Sequence, residues 1–585
     1  MSAGFARALP FGATLRNPNQ ASFRLWAPTQ DSVSVEIEGH DAVPMTQQSG
    51  GWFETEADCG AGTRYRYRLG SGEAVPDPAA RAQAEDVHGP SLVVDPRAYR
   101  WKHPDWRGRP WHETVLYELH VGAYGGFAGV AAEMARFAEL GITAIELMPI
   151  NDFPGKRNWG YDGVLPFAPD HAYGTPEELK ALIDAAHGHG LMIFLDVVYN
   201  HFGPDGNYLS AYAPSFFRDD IKTPWGPSID FRRPEVRRFF AENALYWLLE
   251  YRFDGLRFDA VHAITDPGWL DELAAEIRAT VEPGRHVHLV LEHEENVADH
   301  LRHGFDAQWN DDAHHVLHVL LTGEGDGYYS DYAGQPARQL ARCLAEGFVY
   351  QGDPSPYRKG RPRGTPSADL PPTSFVLFLQ NHDQIGNRPF GDRLTTLTNP
   401  DALEAAIALQ LLCPQIPLLF MGEEGASHTP FLYFTDHHGA LADAVREGRR
   451  REFAGFASFA DERRRAEIPD PNAPETFERS RPIADEALGA GRRGLYCSLL
   501  ALRKSLIMPR LQGAKSIGAE VVGVAAVVAR WRMADGALLA IAINLAKEPV
   551  TIAPPDGQLV FATARGIRDG MLGGPATAVF LGAAP

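Results

Sequence analysis

The chain has 585 residues, too many for one simple core, with the mixed composition of an ordinary globular protein. A formal net charge of −20 leaves no basic excess to neutralise phosphates, which argues against a nucleic-acid partner and equally against an anionic membrane surface. The four cysteines, Cys59, Cys343, Cys413 and Cys497, form no CxxC pair, so free thiols in a reducing cytoplasm are expected in place of a disulfide framework or a zinc site.

No apolar stretch at the N-terminus reads as a signal peptide, and no apolar run of about 18 residues reads as a membrane span. Residues 1–98 read as a β-sandwich: Val33, Val35 and Ile37 alternate with polar residues, as do Tyr65, Tyr67 and Leu69, and Gly39, Gly50, Gly51 and Gly60 mark the turns. WKHPDWRGRPW follows as a linker or a strap packed between domains. From about residue 113 the rhythm becomes strand then helix.

VLYELHV leads to a helix with Val130, Met134 and Phe137 on one face, ending at Gly141. ITAIELMP is the second strand. Its helix opens with Thr175 as N-cap, Pro176 at the first helical position and Glu178 completing a capping box, and ends near Gly190. LMIFLDVVYNH is the third strand, and the helix opened by Pro234 leads to GLRFDAVH, the fourth. Asp266 and Pro267 read as the cap of the next helix, with Leu270, Leu273 and Ile277 inward. VHLVLEHE is the fifth strand, a weak sixth falls near FDAQWN, and SFVLFLQNHD and IPLLFMGEE are the seventh and eighth. A closing helix falls near GLYCSLLALRKSL. Eight such units predict a central (β/α)8 TIM barrel over residues 99–509, flanked by the N-terminal β-sandwich and, over 510–585, a C-terminal antiparallel β-sandwich with a hairpin turning at Ala534, Asp535 and Gly536. Two stretches interrupt the repeat: 202–233, expected as a long loop over the barrel mouth, and 422–490, expected to add helices.

Asp259, Glu292 and Asp383 stand where apolar strand runs give way to polar residues. Buried parallel strands read this way where their C-terminal ends open into an active site. Three convergent carboxylates suit glycoside hydrolysis, in which one attacks the anomeric carbon, one protonates the leaving oxygen and one supports the distorted sugar.

DVVYNH (196–201), GLRFDAVH (255–262), the Glu of LVLEHEEN and NHD (381–383) resemble the four signatures of the α-amylase superfamily of glycoside hydrolases, in the same order. Within it, FPGKRNWGYDGV, QWNDDAHHVLHVLLTGE, GFVYQG, FLQNHDQIGNR and VHGPS resemble the maltooligosyltrehalose trehalohydrolases. The resemblance implies a retaining hydrolase that cuts the α-1,4 bond next to a terminal trehalose, acts on maltooligosyltrehalose and related α-glucans, and needs no cofactor and no metal. No Asp-rich loop of a calcium-caging kind is visible.

It implies Asp259 as nucleophile, Glu292 as general acid then base, and Asp383 as the group holding sugar hydroxyls. Arg257 would keep Asp259 ionised, His201 and His382 would hydrogen-bond the same sugar, and Tyr161 would stack under it with Asp162 beside. Asp196 would organise the network around Arg257, with direct sugar contact as the alternative. His262 and Gln380 are further candidate substrate contacts. Trp225 would stack on a sugar or pin its loop, and Glu294 and Glu295 would reach the +1 or +2 subsite or face solvent at a helix start. Glu294 is the alternative acid–base; Glu292 is preferred because it ends the apolar run VHLVL.

His314, His315 and His318 lack a carboxylate or cysteine at metal-ligand spacing and are expected on a helix surface or along a substrate groove. RPRG (361–364) and RREFAGFASFADERRR (450–465) read as solvated helix surface. The rivals on this scaffold are a branching or debranching enzyme and a glycan-binding protein without catalysis.

Overall fold

The computed structural model describes residues 5–223, 225–455 and 461–583. Near the N-terminus, a pair of antiparallel sheets pack face to face. One contains Gly12–Asn17, Gln20–Trp26, Thr46–Gln48 and Trp52–Ala57, and the other is built on Val33–Ile37 and Arg64–Leu69. The period-two pattern sends Val33, Val35, Ile37, Tyr65, Tyr67 and Leu69 inward, where they meet Phe23 and Leu25. The hydroxyls of Tyr65 and Tyr67 both donate to Asp77 Oδ2, at 2.7 and 3.2 Å, so the polar tips of that core are satisfied.

The strap between the sandwich and the barrel is fixed by directed bonds. Trp106 Nε1 donates to Asp254 Oδ1 (2.9 Å), and Trp111 Nε1 donates to the Thr373 carbonyl (2.7 Å).

Eight parallel strands then close into a barrel: β1 (Leu116–Leu119), β2 (Ala144–Leu147), β3 (Met192–Val197), β4 (Gly255–Phe258), β5 (His288–Leu291), β6 (Ala307–Trp309), β7 (Phe375–Phe378) and β8 (Ile416–Phe420). The ring closes where Leu116 of β1 pairs with Leu418 of β8. Every residue of these strands is buried, as parallel strands covered by helices require. Leu116, Met192, Phe194, Val290, Trp309, Phe378 and Leu418 are among the side chains that fill the barrel as a packed core. Gly255 is dictated by that packing, since a Cβ there would lie 2.2 Å from the Phe194 ring.

The helix Pro176–Gly188 has the expected capping box, with Thr175 and Glu178 each holding the other's backbone N–H. The first barrel helix is broken at Glu133 into Phe127–Ala132 and Met134–Leu140. Helix Gly268–Thr280 has no side-chain cap; Asp266 instead binds Arg237, a cation from the preceding helix that outcompetes local capping. The 202–233 stretch is not a plain loop, for it folds a short helix, Leu209–Tyr212, and a ribbon of Phe217–Thr223 with Gly226–Ile229. The 422–490 stretch adds helices Gly439–Glu452, Glu462–Ala466 and Pro474–Glu478. Of the run 450–465, residues 456–460 lie outside the described residues, and Phe453 within it is buried, not solvated.

The chain closes with a five-stranded antiparallel sheet that includes the expected hairpin, Ala526–Arg532 with Leu538–Asn544, and a three-stranded sheet beside it. Thr577 of the larger sheet donates to the carbonyl of Ala405 on barrel helix Pro400–Leu412 (2.7 Å). Among the described residues no helix is long and apolar enough to cross a membrane.

Candidate active site

Arg257 lies in β4, fully buried, and is the hub of the barrel mouth. Its Nη1 donates to Asp196 Oδ2 of β3 (2.7 Å) and to Asp259 Oδ1 just beyond β4 (2.8 Å). Its Nη2 lies 3.0 Å from Glu292 Oε2, just beyond β5. The guanidinium also sits 4.1 Å from the ring centroid of Trp309 in β6, a cation–π contact that fixes its plane. Asn200 Nδ2 donates to Asp259 Oδ2 and to the Asp259 carbonyl, both at 2.8 Å. The Ala260 N–H donates to Glu292 Oε2 (2.6 Å).

A second arc carries Asp383. The Asn381 side chain caps the short helix His382–Gly386, which places Asp383 beside His382 with Nε2 and Oδ1 3.5 Å apart. His382 Nδ1 pairs with Glu118 of β1, and its ring stacks on Tyr161 (5.0 Å between centroids). The Tyr161 hydroxyl donates to Asp196 Oδ2 (2.7 Å), which joins the two arcs. His201 binds Asn200 through Nδ1 and the Tyr161 carbonyl through Nε2 (3.0 Å). Asp162 accepts from Asn158 (2.7 Å) and faces His437 Nε2 at 3.3 Å.

One guanidinium cannot hold three buried carboxylates charged, and the shortage separates them. Burial works against the charged form of Asp259, but Arg257, His201 and the Asn200 bond outweigh it and hold this carboxyl below its usual range. At Glu292 burial wins over Arg257, with Asp259 and Asp383 adding repulsion, and the group is pushed well above its usual range. Asp196 is pushed to about 6 by burial that Arg257 only partly offsets. Burial opposes charge on His382 as well, yet Glu118 and Asp383 raise it to about 9. The result is an ionised carboxylate and a protonated carboxylic acid on one cation, the pairing that acid-assisted nucleophilic displacement uses.

The structure therefore brings Asp196, Arg257, Asp259, Glu292, Tyr161, His201, His382 and Asp383 into one cluster, with Asp162 at its edge. Trp225 is 45% exposed and stacks on His201 at 4.9 Å, so it both pins its ribbon and shows a face to solvent. Glu294 and Glu295 occupy a turn, not a helix start, and both grip Arg358, with His262 Nε2 3.5 Å from Glu294. Gln380 stands apart from the expected contacts. Its amide is taken by the Leu394 N–H (2.6 Å) and by Glu423 (3.3 Å).

Two sequence readings are corrected. His314 and His318 are buried, bonded to the Leu379 carbonyl (2.7 Å) and to Glu324 (2.7 Å), and His315 packs on Tyr328 and Tyr332; an aromatic cluster from the following segment covers them. RPRG is a strand of the ribbon Asp353–Ser355 with Arg361–Arg363, and Arg363 is buried on Asp312 (2.7 Å) and the Tyr332 hydroxyl (2.7 Å). Sequence reading missed Asn200, although it sits inside DVVYNH, and Trp309, although it sits inside QWNDDAHHVLHVLLTGE; Glu118 and His437 carried no motif. It also missed Asp311, which burial with repulsion from Asp383 raises to about 7 despite Arg363.

The profile of a family described as "Alpha amylase, catalytic domain" matches residues 100–220, and that of a "Domain of unknown function (DUF3459)" matches 514–581. The chain is 44% identical over 510 residues to the malto-oligosyltrehalose trehalohydrolase of Deinococcus radiodurans, covering 85% of this chain and 82% of the relative. It is 38% identical to that of Rhizobium sp. (strain M-11), covering 93% and 94%. A Salmonella typhimurium protein assigned as an alpha amylase, solved at 1.4 Å, superposes with a TM-score of 0.93 at 43% identity over 99% of this chain and 100% of that one.

Proposed function

The chain belongs to the malto-oligosyltrehalose trehalohydrolases of the α-amylase superfamily, and from that premise we propose how its site works. It is a glycoside hydrolase that cuts the α-1,4-glucosidic bond next to the terminal trehalose of maltooligosyltrehalose, releasing trehalose and a shorter maltooligosaccharide. The sharing of one buried guanidinium by Asp259 and Glu292, which pushes one acid towards its charged form and the other towards its protonated form, carries the hydrolytic chemistry, and the trehalose-capped substrate rests on the relatives named for it.

Asp259 attacks the anomeric carbon. Glu292 gives its proton to the glycosidic oxygen as that bond breaks, and trehalose leaves. With Glu292 Oε2 taken by Arg257 and the Ala260 N–H, Oε1 is the oxygen left to carry the proton. The carboxylate so formed on Glu292 then removes a proton from water, whose oxygen displaces Asp259 from the glycosyl-enzyme. Contact with neighbouring nitrogens of one guanidinium suits the carboxyl spacing of about 5 Å that double displacement needs. Asp383 and His382 hold sugar hydroxyls, and Tyr161 packs under the ring. Asp196 positions Arg257 and Tyr161. A cytoplasmic setting goes with this reading, supported by four free thiols.

The test is product analysis with maltopentaosyl-trehalose and plain maltohexaose. Trehalose release from the first, at higher kcat/KM than any cleavage of the second, is expected. Transfer without release of trehalose or reducing ends would mark a branching enzyme and overturn the proposal.

A further inference from the structure

Behind the site, the loop after β2 folds back as a ribbon in which Asn151–Asp152 pairs with Leu165–Pro169. The ribbon brings Asp152, Asp170 and His171 together, and one ligand atom from each lies within 4.8 Å of the others. Asp152 and Asp170 are both fully buried.

Their hydrogen bonding is incomplete. Asp152 Oδ1 accepts from the His171 backbone N–H (3.2 Å) and is hydrogen-bonded to His171 Nδ1 (3.0 Å), whereas Asp152 Oδ2 is buried with no hydrogen-bond partner. Asp170 uses each oxygen for one backbone N–H, of Phe153 (3.1 Å) and of Ala172 (2.8 Å), so lone pairs remain on both. Asp86, from the segment that leads out of the N-terminal sandwich, is anchored on the Gly155 N–H (3.1 Å), and its negative charge acts on all three residues. Against these carboxylates stands one half-buried imidazole; Lys156, whose charge acts on it, is exposed.

Two buried carboxylates side by side need a shared proton or a cation to offset their repulsion. The imidazole in the same shell and the third carboxylate near it favour the cation. A mixed shell of carboxylate oxygen and imidazole nitrogen suits Zn²⁺ or Mn²⁺, while Mg²⁺ and Ca²⁺ take all-oxygen shells. We propose that Asp152, Asp170 and His171 bind one divalent cation, Zn²⁺ or Mn²⁺, that fastens the β2 loop to the ribbon. The loop carries Asn158, Tyr161 and Asp162 into the active site, so the ion acts on catalysis only through their placement. Asp152 lies in one strand of the ribbon and Asp170 and His171 follow the other, which is why no contiguous Asp-rich loop marks the site in the sequence.

The test uses the full chain stripped with a chelator, titrated separately with ZnCl₂, MnCl₂, MgCl₂ and CaCl₂ by calorimetry, with the melting temperature followed in parallel. One equivalent of Zn²⁺ or Mn²⁺ is expected to bind and to raise the melting temperature. Asp170→Asn should weaken that equivalent by at least about tenfold and abolish the thermal response. His171→Ala, at a half-buried position, provides a second variant should the first fold poorly. Equal binding by wild type and His171→Ala would show only adventitious surface histidines and overturn the proposal. So would a wild type that binds no stoichiometric cation while Asp170→Asn is as stable as it; that outcome identifies a proton-sharing acid pair.

Discussion

Arg257 serves three carboxylates with one charge, and the roles follow from that shortage. Asp259→Asn, Glu292→Gln and Asp383→Asn are each expected to lower kcat at least about a thousandfold with the fold intact, because each removes an interaction made in the transition state. Near wild-type turnover by Glu292→Gln would move the acid–base role to Glu294. The pH profile follows from the directions of the two shifts. Asp259, held below its usual range, is ionised at neutral pH, and activity falls as acid protonates it. Glu292, pushed well above its usual range, acts while it holds its proton, and activity falls as base removes it. The profile should therefore be a bell, and NMR of early product should show the new reducing end as the α anomer; an initial β anomer would rule out a covalent intermediate on Asp259. The three acids are legible in sequence because each ends an apolar strand run. Trp309 and Glu118 are not, since an aromatic and a carboxylate inside barrel strands look like core and accident until the strands are closed into a ring. Gln380 shows the converse: beside NHD it reads as a contact, but its amide is spent on Leu394 and Glu423.

Among the elements, the ribbon of Asp353–Ser355 with Arg361–Arg363 departs furthest from its sequence reading. A basic, proline- and glycine-rich stretch looks solvated when its partners are unknown. Here Arg363 is drawn into the core by Asp312, whose carboxylate also accepts from the N–H groups of Val349 (2.7 Å) and Tyr350 (3.0 Å). That anchor presents Arg358 to Glu294 and Glu295, two and three residues beyond the proposed acid–base. Trehalose is a bent, non-reducing disaccharide, and a site built for it needs directed hydrogen bonds. A plain maltooligosaccharide would leave some of them unmade, at a cost of roughly 1–3 kcal/mol for each buried group left unpaired. Glu295→Ala is accordingly expected to lower kcat/KM on trehalose-capped substrate more than on maltohexaose, measured side by side. An equal fall on both would reduce Glu295 to an anchor for Arg358. Where local chemistry decides an element, as in the capping box at Thr175 and Glu178, sequence and structure agree; where a distant partner decides it, as for His314 and Arg363, they diverge.

At the scale of the molecule, the change from period-two strands to strand–helix units and back is visible in the sequence, but what joins the sandwich to the barrel is not. The joint turns on Glu250, buried at the end of helix Pro234–Leu249. Arg81 Nη1 binds both of its oxygens, at 2.7 and 2.9 Å, the Arg7 N–H donates to Oε2 (2.9 Å), and Lys180 Nζ lies 3.5 Å from Oε1. Arg81 and Lys180 are themselves buried, so the carboxylate is the counter-charge for two cations removed from water. Replacing such a group leaves charge uncompensated, which costs about 3–5 kcal/mol, more than the pair itself contributes over apolar packing. Glu250→Ala is therefore expected to lower the first calorimetric unfolding transition and to raise hydrogen exchange in the strands of residues 12–69, since Arg7 and Arg81 both belong to the N-terminal region. Glu282→Ala is the control. Its pair with Arg107 is 2.6 Å long but more than half exposed on both sides, and a surface pair of that kind contributes little. If Glu250→Ala melts and exchanges like Glu282→Ala, the sandwich is held by its apolar contacts alone; if it loosens while the barrel transition stays in place, the buried carboxylate is what makes the N-terminal sheets and the barrel unfold together.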